Sequence, residues 1–218
     1  NISNVLLIGL VRRLRKELDI PVVATLQGED FFLDALPPHN SKEAWEVLRE
    51  RAQDVDQFIA PSRYFGELMQ DRLKFDSEKL AVVPNGISLE GYDLTSAPTD
   101  PPVLGFFARM CEDKGLDMLV ESFVLLKQRK ETKNLRLKIG GGLGPSDEPL
   151  VRSIKERLEK LGILDSVEFC PNLSREEKVA FFRSLTVFSA PALYGETFGL
   201  YVIEALAAGV PVVQPRHA

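Results

Sequence analysis

The chain has 218 residues, of which 44% are hydrophobic and 27% charged, and its formal net charge is −5. This balance excludes fibrous and disordered classes, and it provides no basic field that would recruit nucleic acid, so no nucleic-acid partner is expected. No apolar run approaches the ~18–20 residues that span a bilayer. The two cysteines, Cys111 and Cys170, are far apart and fit neither a disulfide framework nor a metal pair, which favours a reducing, cytoplasmic location.

The first segment, residues 4–18, is predicted to form an amphipathic helix with a basic end. Its charges follow the apolar stretch, whereas a secretory signal places them before it. The basic residues are Arg12, Arg13, Arg15 and Lys16. We interpret them as a solvated helix end, and peripheral contact with an anionic membrane is the less favoured alternative.

Short apolar runs and helical stretches alternate through the first half of the chain. The segments PVVATLQ, QFIAPS and LAVVPNG are predicted strands, with helices at residues 42–55 and 63–73 between them. The polar, proline-rich segment LTSAPTDPP shows neither helical nor strand periodicity and is predicted to be a linker. We therefore predict an N-terminal domain at 1–94, a linker at 95–102 and a second domain at 103–218.

The same alternation resumes after the linker. Five strands are predicted, in VLGFFAR, LRLKIGGG, SVEFCP, TVFSAPA and VPVVQ, and helices at residues 116–129, 148–161 and 175–184 and one ending near Ala208. Strands that alternate with helices indicate parallel sheets covered on both faces, so the fold class is α/β with two doubly wound, Rossmann-like domains. The first domain has three predicted strands and opens on a helix, so we expect it to be incomplete and the chain to be a piece of a longer protein.

In open parallel sheets, ligands bind outside the carboxyl ends of the strands. Arg109 and Lys114 follow the first strand of the second domain and precede a helix, where they could clamp a diphosphate. The alternative is a pair of surface charges neutralised by the neighbouring Glu112 and Asp113. The glycine run at residues 140–142 is a weak signal of close backbone approach to a ligand.

Two glutamates separated by seven residues, Glu196 and Glu204, stand in the apolar stretch near the end. Between Phe198 and Val210 every residue except Glu204 is apolar or glycine, which predicts a buried helix holding a carboxylate that needs a partner. Glu196 is predicted to lie in the loop before that helix, with Thr197 as its N-cap; a charge that favours the helix dipole is the simpler alternative. Pairs of carboxylates also occur in metal sites and glycoside hydrolases, but no His or Asp ligand set accompanies Glu196 and Glu204.

Several segments, in this order and spacing, resemble the retaining, nucleotide-sugar-dependent glycosyltransferases of family 4, also called group 1. They are VVPNGISLEGY, GFFARMCEDKGLDMLVESF, GGGLG, VEFCPNLSREEKVAFFRS and PALYGETFGLYVIEALAAGVPVV. The resemblance runs from about Pro21 to the last residue, and it implies the two-domain GT-B fold. It also implies that the family's N-terminal glycine-rich loop would precede Asn1 and that its C-terminal helices would follow Ala218.

The resemblance implies a metal-independent transferase of hexosyl type, with no cofactor beyond its nucleoside-diphosphate-sugar donor. The implied catalytic residues are Arg109 and Lys114, which bind the diphosphate and stabilise the leaving group, and Glu196, which contacts the transferred sugar. The implied donor-binding residues are Glu204 at the ribose hydroxyls, the amides of Phe198, Gly199 and Leu200 at the phosphates, Gly141 and Gly142 beneath the donor, and Pro171 and Leu173 beside the base.

On the acceptor side the resemblance points to Gln27, Gly28 and Ser62, and the acceptor would be a glycan, a lipid or a small molecule. Family members commonly carry histidine where this chain has Gln27, which cannot act as an acid or base. Two alternatives stay open: a noncatalytic nucleotide-sugar-binding module, and a GT-B relative such as a nucleotide-sugar epimerase.

Overall fold

The computed structural model describes residues 1–92 and 100–216, and the chain divides into two compact units, Asn1–Gly86 (unit 1) and Ile87–Ala218 (unit 2). Residues 95–99 of the predicted linker lie outside the described residues.

Unit 1 is a three-stranded parallel sheet with helices between its strands. Its elements are a 3₁₀ segment at Val5–Leu10, α1 at Val11–Leu18, β1 at Val23–Thr25, α2 at Glu29–Asp34, α3 at Pro38–Ala52, β2 at Gln57–Ala60, α4 at Arg63–Leu73 and β3 at Leu80–Val82. The strand order is β1-β2-β3. Phe58, Phe65 and Met69 are fully buried in its core.

Three details of unit 1 differ from the sequence predictions. The first helix begins as a 3₁₀ segment, capped by the side chain of Asn4, before α1 starts at Val11. Helix α3 starts at Pro38 rather than at residue 42, because proline is well suited to the first turn of a helix. Ile2 pairs with Ala24 in an isolated bridge, so extended backbone does precede the first helical segment.

Unit 2 alternates strands and helices. Its elements are β4 at Val103–Phe107, α5 at Leu116–Lys127, β5 at Arg136–Gly141, α6 at Glu148–Lys160, β6 at Val167–Pro171, α7 at Arg175–Arg183, β7 at Val187–Phe188 and α8 at Leu200–Ala207. The four strands are parallel in the order β6-β5-β4-β7. The predicted fifth strand, VPVVQ, contributes one isolated bridge, from Val212 to Phe188.

The strand order of unit 2 reverses between β4 and β7. The chain moves outward from β4 through β5 to β6 and then returns to place β7 on the other side of β4. Because such crossovers are right-handed, α5 and α6 cover one face of the sheet and α7 the other, as in a Rossmann-like unit. The confirmed fold class is therefore α/β with parallel sheets.

Candidate functional site

The loops that follow β4 and β7 flank the switch point of unit 2, where open parallel sheets bind ligands. The two loops are joined directly, since the Leu193 amide donates to the Asp113 carbonyl at 2.9 Å. Gly115 has a φ of +72°, and a Cβ built there would lie 1.9 Å from the Pro191 carbonyl oxygen. The backbones of the loops therefore meet at a point that only glycine permits.

Lys114 and Glu196, from these two loops, form an ion pair. The Lys114 ammonium lies 2.7 Å from Oε2 of Glu196, and both side chains are largely buried. The same carboxylate oxygen accepts a hydrogen bond from the hydroxyl of Tyr201, and the Tyr194 ring lies 4.8 Å from the ammonium. Glu196 is thus held by two donors from different elements.

The electrostatics of this cluster follow from burial and from the shared carboxylate. Burial opposes the charge of Lys114, but hydrogen bonds to Glu196 and Tyr194 outweigh it, and the pKa of Lys114 is raised. Burial and the bond to Glu196 raise the pKa of Tyr201 well above its usual range. Tyr201 is therefore a neutral donor beside an ionised lysine.

Arg109 leaves the end of β4 and binds Asp147 rather than a neighbour in its own loop. Its Nε and one terminal nitrogen donate to the two oxygens of Asp147 at 2.9 and 3.0 Å, while 60% of its side chain stays exposed. This hydrogen-bonded pairing lowers the pKa of Asp147 and raises that of Arg109. The alternative in which Arg109 and Lys114 simply neutralise Glu112 and Asp113 is wrong, because each cation binds a distant acid.

The glycine turn after β5 is joined to the loops on both sides of it. Gly141 has a φ of +120°, and a Cβ there would lie 1.9 Å from the Ala108 carbonyl oxygen. The Gly142 carbonyl accepts the Met110 amide at 2.8 Å, and the Asn172 side chain bonds both the amide and the carbonyl of Leu143. Asn172 stands between Pro171 and Leu173, in the segment predicted to lie beside the base.

A cavity of about 420 Å³ opens beside this turn. It is lined by Gly141 and Gly142, by residues 172–175, and by Phe107 and Lys178. The predicted Gly141, Gly142 and Leu173 are therefore brought together. Pro171 ends β6 and is exposed.

Glu204 is buried, as predicted, with 8% of its surface exposed. Its Oε1 lies 2.5 Å from the ammonium of Lys178 on α7, a partner that was missed from the sequence. Nearby, the hydroxyl of Tyr92 is buried without a hydrogen-bond partner among the described residues. Burial first and the charge of Glu204 second raise the pKa of Tyr92 to about 12.

Helix α8 differs from its prediction in two respects. Its N-cap is Gly199, with a φ of +75°, rather than Thr197. The helix is not buried all round, since Leu200 and Leu206 are exposed while Glu204 and Ala205 are buried. Its start nevertheless places the amides of Gly199 and Leu200 directly after the Glu196 loop, and first-turn amides lack intrahelical acceptors.

The predicted acceptor-side residues belong to unit 1. Gln27 is exposed and follows β1, and its amide donates to Glu29 at 2.7 Å. Gly28 is the N-cap of α2 with a φ of +100°, and Ser62 caps α4 by accepting the Phe65 amide at 3.2 Å. Each has a local structural role within its own unit.

Within residues 1–92 and 100–216, no three His, Cys, Asp or Glu side chains are grouped so that they could hold a metal ion. In the same part of the chain, every helix is too short or too polar to cross a membrane.

Comparison with known proteins places both units in related families. The family described as "Glycosyl transferases group 1" matches residues 95–216, and "Glycosyltransferase Family 4" matches residues 3–90. Mannosylfructose-phosphate synthase of Agrobacterium fabrum is 32% identical over 50% of this chain and 24% of its own length. A D-inositol 3-phosphate glycosyltransferase of Stackebrandtia nassauensis is 31% identical over 73% of this chain and 38% of its own length.

Solved structures agree on the fold. Anabaena HepE in complex with UDP-glucose matches with a TM-score of 0.75 and 18% identity, over 97% of this chain and 57% of that one. Sucrose-phosphate synthase from Thermosynechococcus elongatus also has a TM-score of 0.75, with 21% identity, over 97% of this chain and 54% of that one. The chain thus spans little more than half of these proteins. Its sequence and fold together show that the chain belongs to the group 1 glycosyltransferases.

Proposed function

We propose that unit 2 binds a nucleoside-diphosphate sugar and that the protein transfers the sugar, with retention of its anomeric configuration, to an acceptor hydroxyl. The observation that carries this proposal is the gathering of Lys114, Glu196 and the glycine turn at the carboxyl edge of one parallel sheet. The name of the neighbour solved with UDP-glucose supports a donor of this class.

Arg109 and Lys114 supply positive charge for the departing diphosphate. Charge develops on the leaving phosphate oxygen as its bond to the sugar breaks, so preorganised cations at that position lower the barrier. The exposed guanidinium of Arg109 is bidentate toward Asp147 and can offer its remaining N–H groups to phosphate oxygens. Two such cations would allow transfer without a metal ion.

The two glutamates are assigned different ligand groups. Glu196, held by Lys114 and Tyr201, would accept hydrogen bonds from hydroxyls of the transferred sugar. Glu204 would accept from the ribose diol. The amides of Phe198, Gly199 and Leu200 would bind phosphate at the start of α8, and Pro171 and Leu173 would lie beside the base.

The acceptor oxygen would attack from the face on which the diphosphate leaves. The bond from the anomeric carbon to phosphate breaks, the bond to the acceptor oxygen forms, and the acceptor proton passes to the leaving phosphate. This route needs no side-chain base, so Gln27 is compatible with it. The names of the relatives favour a sugar or polyol acceptor over a glycan or a lipid. Gln27, Gly28 and Ser62 are proposed on that side.

The donor assignment is tested by thermal denaturation of the chain with UDP, GDP and ADP and with their glucose conjugates. A ligand at about 100 times its Kd should stabilise the protein by ~2.7 kcal/mol. Arg109→Ala and Glu204→Ala should abolish the shift, whereas Arg129→Ala, at an exposed position of the same unit, should retain it. If no nucleotide raises the melting temperature, the donor site is wrongly assigned.

The transfer itself is tested with the whole protein and a panel of sugar and polyol acceptors. NMR of the product should show the donor's anomeric configuration, and EDTA should leave the rate unchanged. Tight donor binding with no transfer to any acceptor would favour the noncatalytic module.

A further inference from the structure

Lys178 both lines the cavity beside the glycine turn and binds the buried carboxylate of Glu204. Its ammonium contacts Oε1 at 2.5 Å, and this is the one hydrogen bond to the Glu204 side chain among the described residues. The second carboxylate oxygen therefore retains its capacity to accept. A lysine in this position connects the cavity to the carboxylate that is proposed to bind ribose.

The position of Lys178 is fixed by the start of α7. Ser174 and Glu177 form a capping box, in which the Ser174 hydroxyl accepts the Glu177 amide and the Glu177 carboxylate accepts the Ser174 amide. One turn before Lys178, Arg175 donates to the Ser88 hydroxyl and to the Glu90 carbonyl, both at 3.1 Å. The helix is thus anchored at the turn that aims Lys178 at Glu204.

Burial makes the lysine necessary for the proposed role of Glu204. A carboxylate with 8% exposure would be costly to bury without a counter-ion, and Lys178 supplies that counter-ion. An ionised carboxylate accepts hydroxyl hydrogen bonds roughly twice as strongly as a neutral group. The hydroxyl of Tyr92, which is close enough to Glu204 for that charge to raise its pKa, is buried without a hydrogen-bond partner among the described residues.

We propose that Lys178 is the positioning residue for ribose recognition: it fixes the Glu204 carboxylate through Oε1, so that the other oxygen accepts a ribose hydroxyl. The inference rests on the proposed function, because it assumes a nucleotide in this cavity. It predicts that Lys178 governs discrimination between ribose and deoxyribose rather than affinity for the base or the phosphates.

The test compares the dissociation constants of UDP and 2′-deoxy-UDP for the chain by calorimetry. Wild type should favour UDP on the order of tenfold, as expected for one hydroxyl bound to a charged acceptor. Lys178→Met should reduce this ratio to about twofold. Lys178→Arg, which keeps the charge and a donor, should retain most of it, and the exposed Lys160→Met is the matched control.

The outcomes separate the two proposals. If wild type binds UDP but Lys178→Met keeps the full ratio, the inference is overturned while the proposed donor site stands. An equal loss of both affinities, with the ratio intact, assigns Lys178 a merely structural role and also overturns it. If wild type binds neither nucleotide, the donor assignment fails and the inference fails with it. Should Lys178→Met not fold by circular dichroism, Lys178→Gln replaces it and the same ratio decides.

Discussion

In the part of the chain that the structure describes, each unit buries one glutamate, and the two are satisfied in different ways. Glu29 of unit 1 is 3% exposed, and its two oxygens accept backbone amides, from Val5 at 2.9 Å and from Gln27 at 2.7 Å. Glu204 of unit 2 is 8% exposed and, within the described residues, is bound by one side chain, that of Lys178. A carboxylate whose two oxygens both accept backbone amides is a structural crosslink, whereas one held by a single lysine has a second oxygen that can accept a ligand.

The surroundings of the two carboxylates also differ, because backbone groups dominate around one and side chains around the other. The amides that bind Glu29 belong to the loop after β1 and to the 3₁₀ segment, so this glutamate joins two parts of the unit 1 backbone. In unit 2 the close backbone contacts lie at Gly115 and Gly141, and the Glu204 carboxylate is held by the side chain of Lys178. Unit 2 therefore combines a rigid backbone with side chains whose partners can be exchanged for a ligand.

The largest expected effect tests the rigid backbone of unit 2. Gly141→Ala forces a Cβ to within 1.9 Å of the Ala108 carbonyl at a φ of +120°, so both the contact and the backbone conformation are strained. We expect a loss of about 4 kcal/mol in the free energy of unfolding, measured by urea denaturation.

Gly142→Ala is the matched control for this substitution, because a Cβ at Gly142 would meet nothing within 4 Å. It should cost less than about 1 kcal/mol. Equal losses in the free energy of unfolding for the two variants would show that the glycine turn adjusts freely. The backbone of unit 2 would then not be rigid at this turn.

The second prediction compares the two glutamates directly. Glu29→Gln places an amide NH₂ against a backbone N–H donor, which leaves a buried amide without an acceptor, and should cost about 2 kcal/mol. Glu204→Gln can keep its carbonyl oxygen toward Lys178, so it should cost less than about 1 kcal/mol. Urea denaturation of both variants measures the difference, and a larger loss for Glu204→Gln would reverse the comparison.

Much of this arrangement could be predicted from sequence. The alternation of strands and helices predicted nearly every element of unit 2, and α4 of unit 1 at its observed bounds. The burial of Glu204 was also predictable, because the residues around it are apolar. Glu29 was not recognised as buried, since it stands beside a second acid at the start of α2 and its amide partner Val5 is 24 residues away.

The pairings of the site were harder to predict than its members. Whether Arg109 binds Glu112, Asp113 or Asp147 depends on loop backbones that close contacts at Gly115 and Gly141 determine, and these contacts join residues distant in sequence. Lys178 was missed inside a charged segment, although it lies on the helix face of Arg175 and the buried Phe182. Tyr201 was counted as an apolar residue, and its hydroxyl was the overlooked signal.

The third prediction concerns Glu196, whose carboxylate is held by two side chains. It shares the number of its donors with Glu29 and their kind, side chains rather than backbone amides, with Glu204. Tyr201→Phe removes the hydroxyl that donates to Oε2 and leaves the Lys114 bond at 2.7 Å in place. The remaining ion pair limits the loss in the free energy of unfolding to about 1 kcal/mol. Tyr64→Phe, at an exposed position of α4, should change nothing measurable. A loss as large as that of Glu29→Gln would show that Tyr201, rather than Lys114, is the principal partner.

The smallest expected effect concerns the pair formed by the exposed Arg109 and the buried Asp147, and it is visible in the dependence of stability on pH. The pairing holds the pKa of Asp147 below its ordinary value of 3.8, so its contribution to stability is present above that value and is lost as the pH falls through the lowered pKa. Wild type should therefore melt roughly 2 °C above Asp147→Asn at neutral pH. The difference in melting temperature should disappear in acid below pH 3.8, the ordinary pKa of an aspartate. Glu148→Gln, one residue further on and exposed, is the control.

The contrary outcome is a difference in melting temperature that persists unchanged in strong acid. It would mean that Asp147 stabilises the fold through its hydrogen bond to the Gly144 amide rather than through Arg109. Asp147 would then be held by the backbone, as Glu29 is.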